Sequence, residues 1–333
     1  MFPVVKYDES QKKVVLMEDQ FAEMKQHLKT FQKARLKVLI TLGDWWNVYP
    51  LTMSPKMFSS VARNENNVRN AFVKELVTIV KNYNFDGINF RWTHPGSPYG
   101  AQDGFLQDKV NFVTLLKSFA SALKPDGLLV TYECTAIKSI INTGIDIPKV
   151  AAALDYILIY ATNYQTGSYI TTGLITPSKE VKSTLEMFKS QVDDPGKIIL
   201  AFKPEVEVLT LANPNKEAKI GSNIIGEKKD FTCWIEIMRR IYVTEKNNWV
   251  ITKGTNESQT FACNGDKWTS FDDINAIKYR MELVQKLRLG GVQIMATFAD
   301  DIFNELGCGP APFLRTINEI LRGYNDCILP SCP

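Results

Sequence analysis

Short apolar runs alternate along the chain with stretches in which apolar side chains return every three or four positions. Leu36–Leu42 is strand-like. After a long connection, Val68, Phe72, Leu76, Ile79 and Tyr83 recur at the spacing of one helical face. Asn84–Trp92 reads as the next strand. Val110, Val113, Leu116, Ala120 and Leu123 mark a helix stopped by Pro125 and Gly127. Strands are predicted at Leu128–Thr135, Leu154–Ala161 and Lys197–Phe202, with a helix around Leu185 and Phe188 before the last of these. Ile274, Ile277, Met281 and Val284 then form a helix. Gly290 and Gly291 close it and open the strand Val292–Thr297, and a final helix holds Leu314, Ile317 and Leu321.

Repeated strand–helix alternation over this length predicts a parallel sheet, and eight such units close into a (β/α)8 barrel, the TIM type of α/β fold. With a strand near Phe2–Tyr7 the count is seven, so one is missing, and the shortage lies at the N-terminus. The expectation is that the absent first strand belongs upstream of the given sequence. An open barrel would leave unpaired backbone on the two flanking strands. The stretch from about Glu205 to Trp268 breaks the rhythm and is rich in Lys, Asn, Gly and Thr; it is expected to be a small inserted α+β module. The predicted organisation is barrel over 1–204, insertion over 205–268, barrel again over 269–322, and a cysteine-containing tail over 323–333.

Composition narrows the class. With 333 residues, 45% hydrophobic and 23% charged, the chain can bury a large core and is neither disordered nor collagen-like. Its 39 basic and 36 acidic residues leave a formal charge of +3, which points to neither nucleic acid nor an anionic membrane as partner. No run reaches the length of a membrane span, and the N-terminus lacks the basic head and apolar run of a secretory signal. The six cysteines (134, 233, 263, 308, 327 and 332) include no CxxC pair, which argues against a zinc ribbon. Asn256-Glu257-Ser258 is the one glycosylation sequon. The chain is read as extracellular and secreted, with no cofactor and no metal.

The most specific segment is Phe85-Asp86-Gly87-Ile88-Asn89-Phe90-Arg91-Trp92-Thr93-His94-Pro95-Gly96. It resembles the signature of the family-18 glycoside hydrolases, the chitinases, which reads F-D-G-x-D-x-D-W-E-x-P-G. Thr41-Leu42-Gly43-Asp44-Trp45 is similar to the family's S-x-G-G-W, and Val110–Leu116 with Lys117 to its N-F-V-x-L-L helix. Leu209–Pro214, Lys267-Trp268 with Phe271-Asp272-Asp273, and Gly290-Gly291 match further landmarks in order. The resemblance covers nearly the whole chain.

That resemblance implies substrate-assisted hydrolysis, in which a glutamic acid protonates the glycosidic oxygen and the sugar's own N-acetyl group attacks. Thr93 stands at the acid's position, and a hydroxyl cannot act as a general acid near neutral pH. Arg91 stands at the neighbouring aspartate and Asn89 at the next; Asp86 alone is retained, at a position the family uses structurally. Strand alternation places Asn89, Arg91 and Thr93 on one face. The sugar site is altered too. Asn163 falls where the family has Asp in M-x-Y-D, Glu205-Val206-Glu207 where it has Y-x-R, and Met295 where it has the tryptophan floor. Trp45, Trp46 and Trp92 remain as candidate carbohydrate-stacking residues, together with Met295 and Asn163. Arg91 needs a counter-charge if buried, and Glu133 and Glu207 are the candidates.

The implied function is that of a non-enzymatic chitinase-like protein acting through an unidentified protein partner, in a growth-factor-like, immune or salivary role. The alternative is a chitin-oligosaccharide lectin without hydrolysis. The family's pattern also implies a disulfide from Cys308 to Cys233, with Cys263 as competitor and the pairing of Cys327 and Cys332 open.

Overall fold

The computed structural model describes residues 5–43, 53–64, 67–92, 95–96, 105–162, 164, 170–215, 217–253 and 260–323, the side chains of 226–231 excepted. They divide into two units, Met1–Ile159 with Ser190–Ile198 and Tyr160–Lys189 with Ile199–Pro333.

In the first unit, β1 (Val5–Asp8) and β2 (Lys13–Leu16) form an antiparallel hairpin, with Val5 opposite Leu16 and Asp8 opposite Lys13. This corrects the expectation of a barrel strand near Phe2–Tyr7. The Asp8 carboxylate accepts the backbone N–H of Ser10 and of Gln11, at 2.9 and 3.0 Å, and so turns the chain back on itself. Helix α1 (Glu18–Lys33) follows, and only Phe21 and Leu28 of it are buried, too thin an apolar stripe to stand out in the sequence. Strand β3 (Leu39–Leu42) leads to α2 (Pro55–Ala62), which starts at the Ser54 cap with Pro55 in its first position, and then to α3 (Val68–Asn82). Strand β4 (Gly87–Phe90), α4 (Asp108–Leu123), β5 (Leu129–Thr135), α5 (Lys138–Gly144), α6 (Ile147–Ala153) and β6 (Tyr156–Tyr160) complete the unit.

Strands β3, β4 and β5 are parallel neighbours, and β6 lies beside β5. The core is the layer between sheet and helices. Phe112, Leu115, Leu116, Phe119 and Leu123 of α4 are buried in it, while Val110 is exposed at the start of the helix. The side chains of Phe90 and Phe119 meet there at 5.0 Å between ring centroids.

The second unit contains α7 (Ser178–Lys189), β7 (Ile198–Phe202), β8 (Glu205–Leu211), β9 (Ile224–Cys233) and α8 (Trp234–Arg239). It continues through β10 (Val250–Thr252), β11 (Thr260–Asn264), β12 (Lys267–Phe271), α9 (Ile274–Leu287), β13 (Gly291–Ile294) and α10 (Pro312–Arg322). Strand β13 runs parallel to β7, whereas β10-β11-β12-β8-β9 make an antiparallel sheet around Leu209, Leu211, Ile224 and Trp268. Helix α9 is capped by Asp273, whose carboxylate accepts the N–H of Ala276 at 2.9 Å.

Among the described residues, β3 and β13 each pair along one edge only, so closure of the strands into a ring is not part of the observed pairing. Among the same residues no helix is long and apolar enough to cross a membrane.

Candidate functional site

The parallel register of the first unit dictates which side chains meet beyond the carboxyl end of β4. Thr41 of β3, Asn89 of β4 and Thr131 of β5 are direct partners. Two residues further along, period-two alternation puts Arg91 and Glu133 on the same face. The ladder also outlasts β4, because the Arg91 N–H donates to the Leu42 carbonyl at 2.8 Å.

These five residues form one polar network. The Thr131 hydroxyl donates to Asn89 Oδ1 at 2.8 Å. Asn89 Nδ2 donates to Thr41 Oγ1 at 3.3 Å and to Glu133 Oε1 at 2.9 Å. Arg91 then grips Glu133 with two donors, Nε to Oε2 at 2.6 Å and Nη2 to Oε1 at 2.9 Å. Both members of this ion pair are buried, at 6% and 3% side-chain exposure. A planar fork matched to a carboxylate, with an amide on the same oxygen, supplies the compensation that two desolvated charges require. The expectation that Arg91 pairs with Glu133 is met. Glu207, the other candidate, is buried on β8 of the second unit.

Gly43 allows this arrangement. Its φ is +96°, and a Cβ there would lie 2.2 Å from the Arg91 carbonyl oxygen. A side chain would push the backbone of Arg91 away from β3.

The opposite face of the same residues is apolar. Trp92 follows Phe90 by two positions, and its indole is 2% exposed. It stacks on Phe58, with centroids 5.3 Å apart and planes at 9°, and meets Phe112 edge-on at 5.2 Å. Trp92 therefore belongs to the core, a correction to its reading as a sugar-stacking surface. Alternation is the reason: if Arg91 faces one way, Trp92 must face the other. The Tyr132 hydroxyl donates to the Trp92 carbonyl at 2.9 Å, and burial, followed by the neighbouring Cys134, raises the phenol well above its usual range. Burial likewise pushes the Cys134 thiol up.

Asp86 sits at the amino end of β4, where its carboxylate accepts the Val38 N–H and the Lys37 ammonium, each at 2.9 Å. It ties strand starts together. In the second unit Met295 is half-buried, and its N–H continues the β13–β7 ladder by donating to the Phe202 carbonyl at 2.9 Å. Thr93, Trp45, Trp46, Asn163 and Asn256 lie outside the described residues, as do Asp44 and His94. Among the described residues no group of three His, Cys, Asp or Glu side chains could hold a metal ion.

Cys233 is a free thiol, so the expected Cys233–Cys308 disulfide is not formed. Cys233 is fixed opposite Glu205 in the β8–β9 ladder, and burial together with Glu205 and Glu236 raises its thiol. Cys308 is disulfide-bonded elsewhere.

Sequence reasoning missed Thr41, Thr131 and Tyr132; the register, once strands are assigned, is the signal that finds them. It also missed a buried ion pair in the second unit. There Asp272 is held by Arg280 and receives the Thr176 hydroxyl at 3.1 Å.

A family model, the glycosyl hydrolases family 18, matches residues 2–300. The chain belongs to this family. Among its relatives is probable chitinase 10 of Drosophila melanogaster, 24% identical over 312 residues, a match covering 88% of this chain and 13% of the fly protein. Mouse chitotriosidase-1 is 23% identical over 317 residues, covering 89% of this chain and 65% of that protein. The chain thus spans only part of these two relatives. Catalytic domain 2 of the Ostrinia furnacalis Group II chitinase superposes with a TM-score of 0.83 at 22% identity, covering 99% and 89% of the two chains. Human YKL-39, described as a pseudo-chitinase with retained chitooligosaccharide binding properties, gives 0.77 at 19%, covering 96% and 89%. At these identities the likeness shows the fold, a TIM-barrel-type α/β architecture.

Proposed function

We propose that the chain is a secreted, non-hydrolytic member of family 18 that acts by binding, with a protein as its partner. The observation that carries the loss of hydrolysis is the Arg91–Glu133 fork. In substrate-assisted cleavage the acetamido group gains positive charge as it attacks, and an anion must stand beside it. Here the corresponding position holds a guanidinium, which repels that charge. Its own counter-ion is fully engaged by Arg91 and Asn89. Thr93, at the acid's position, offers no proton near neutral pH. No cofactor enters this reading.

A protein partner is favoured over a sugar because two stacking surfaces are lost. Met295 offers bulk without a planar face, and the Trp92 indole is enclosed by Phe58 and Phe112. The second reading is a chitooligosaccharide lectin, and its support is the binding stated for YKL-39.

Incubation with a fluorogenic chitobioside should release no fluorophore above the buffer rate. Turnover that disappears in Thr93→Ala would overturn the proposal. Calorimetric titration with chitin oligomers separates the two readings: saturable binding in the micromolar range selects the lectin, and its absence selects the protein partner.

A further inference from the structure

Helix α1 divides by charge. Glu18, Asp19 and Glu23 lie in its first half, whereas from Met24 to Gly43 the chain has five Lys and Arg residues and no Asp or Glu. The formal charge of +3 for the whole chain conceals this concentration. Lys37 is paired with Asp86. Among the described residues Lys25, Lys29, Lys33 and Arg35 make no ion pair, and all four are exposed. We infer that the flank of α1 carrying Lys25, Lys29 and Lys33, with Arg35 at its end, is a binding site for a sulfated polysaccharide chain.

The lysines stand four residues apart and so form one row, rising about 6 Å per step and about 12 Å in all. The row is held still. Phe21 and Leu28 seat the helix, and the Phe21 ring meets Tyr83 edge-on with centroids 4.5 Å apart. At the helix end Gln32 Nε2 donates to the Asn84 carbonyl at 2.7 Å. Asn84 and Asp86 precede β4, so this end of α1 lies at the amino end of the strand, away from the Arg91–Glu133 pair. The site is therefore separate from that network and goes beyond the partner proposed above. The helix dipole accounts for cations in the last turn, such as Lys33, but fades within that turn and does not call for Lys25 and Lys29.

A rigid row of ammonium groups matches a linear chain that repeats its anions. Docking on a bilayer would also require apolar side chains beside the cations. The exposed apolar pair of this region, Phe31 and Leu36, is not on the lysine flank. Phe31 is two residues from both Lys29 and Lys33, which places it roughly 160° away round the helix. Leu36 is bonded back to it as the helix stops, N–H to carbonyl at 3.0 Å, with Arg35 between in a left-handed turn at φ +59°. Single-stranded nucleic acid stacks its bases on aromatic side chains, and the positions beside the lysines are Ala22 and Gln26. Sulfate esters need neither apolar nor aromatic support, and they stay ionised across the physiological pH range.

Calorimetric titration of the intact chain with heparin oligosaccharides in about 0.15 M salt should show saturable binding. Hyaluronan of the same length, whose anions are carboxylates alone, should show none. Replacing Lys25→Gln, Lys29→Gln and Lys33→Gln together should weaken heparin binding by about tenfold, since each exposed ion pair contributes modestly. A control with Lys117→Gln, Lys278→Gln and Lys286→Gln removes the same charge from exposed positions on α4 and α9 and should leave binding unchanged. Absence of heparin binding, or an equal loss in both triple variants, overturns the inference. Tighter binding of duplex DNA or of phosphatidylserine vesicles than of heparin overturns the choice of ligand. The wild-type protein gives a second readout: bound heparin should shield Lys25, Lys29 and Lys33 from acetylation, and shielding confined to other lysines overturns the site.

Discussion

The Arg91 guanidinium and the Glu133 carboxylate meet through two short donor–acceptor contacts, 2.6 and 2.9 Å, between adjacent parallel strands. Because both groups are buried, removing one partner strands the other's charge. Arg91→Met should cost about 3–5 kcal/mol, whereas the double replacement Arg91→Met with Glu133→Leu should cost far less. Urea midpoints of the wild type, both single variants and the double variant complete the cycle. Additive losses would mean the pair is not coupled.

Gly43 is a backbone requirement of the same site. Gly43→Ala forces a left-handed conformation on a residue with a side chain and drives its Cβ into the Arg91 carbonyl. The conformational term alone is about 1–3 kcal/mol, and thermal unfolding should show a clear drop. An unchanged melting temperature would contradict the geometry.

Tyr132→Phe leaves the buried Trp92 carbonyl without the phenol donor. The expected loss is about 1–3 kcal/mol, read by chemical denaturation. Secondary structure should be retained, because the ring still fills its place against Phe112.

Asp300 supplies a pH dependence. Burial raises its carboxyl, and the N–H groups of Leu314, Phe313 and Asp301 offset this only in part. A carboxyl raised in the folded state favours folding below its unfolded value and loses that contribution as pH rises through the folded one. Wild type should therefore fall in stability relative to Asp300→Asn as pH climbs from the ordinary carboxylate range upward. Denaturant midpoints of the two proteins across that interval test the sign, and a constant difference would refute it.

The parallel strands were legible where apolar runs are flanked by turn formers, as at Leu129–Thr135 and Ile198–Phe202. The strand expected near Phe2–Tyr7 is a hairpin strand instead: Val5–Asp8 alternates apolar and polar side chains, a pattern that suits a hairpin as well as a barrel, and Asp8 with its two N–H contacts decides between them. Asn89 and Arg91 were found from motif spacing, and Glu133 from the need for a counter-charge. Thr41 and Thr131 were not, since their role comes from strand register and no local pattern encodes it. The inward Trp92 followed from the same alternation that placed Arg91, yet its aromatic character suggested a sugar surface. The cysteine pairing failed for another reason: Cys233 is committed to a strand–helix junction by the β8–β9 ladder.

The enclosure of Trp92 extends to the other described tryptophans, for Trp234, Trp249 and Trp268 are each at most 7% exposed. Four of the six indoles are thus shielded from solvent. Their emission should be blue-shifted and insensitive to iodide. An emission change on adding a sugar that is lost in the Trp45→Phe, Trp46→Phe double variant would then trace the contact to that short segment, whereas one that persists would report a rearrangement around the four enclosed indoles.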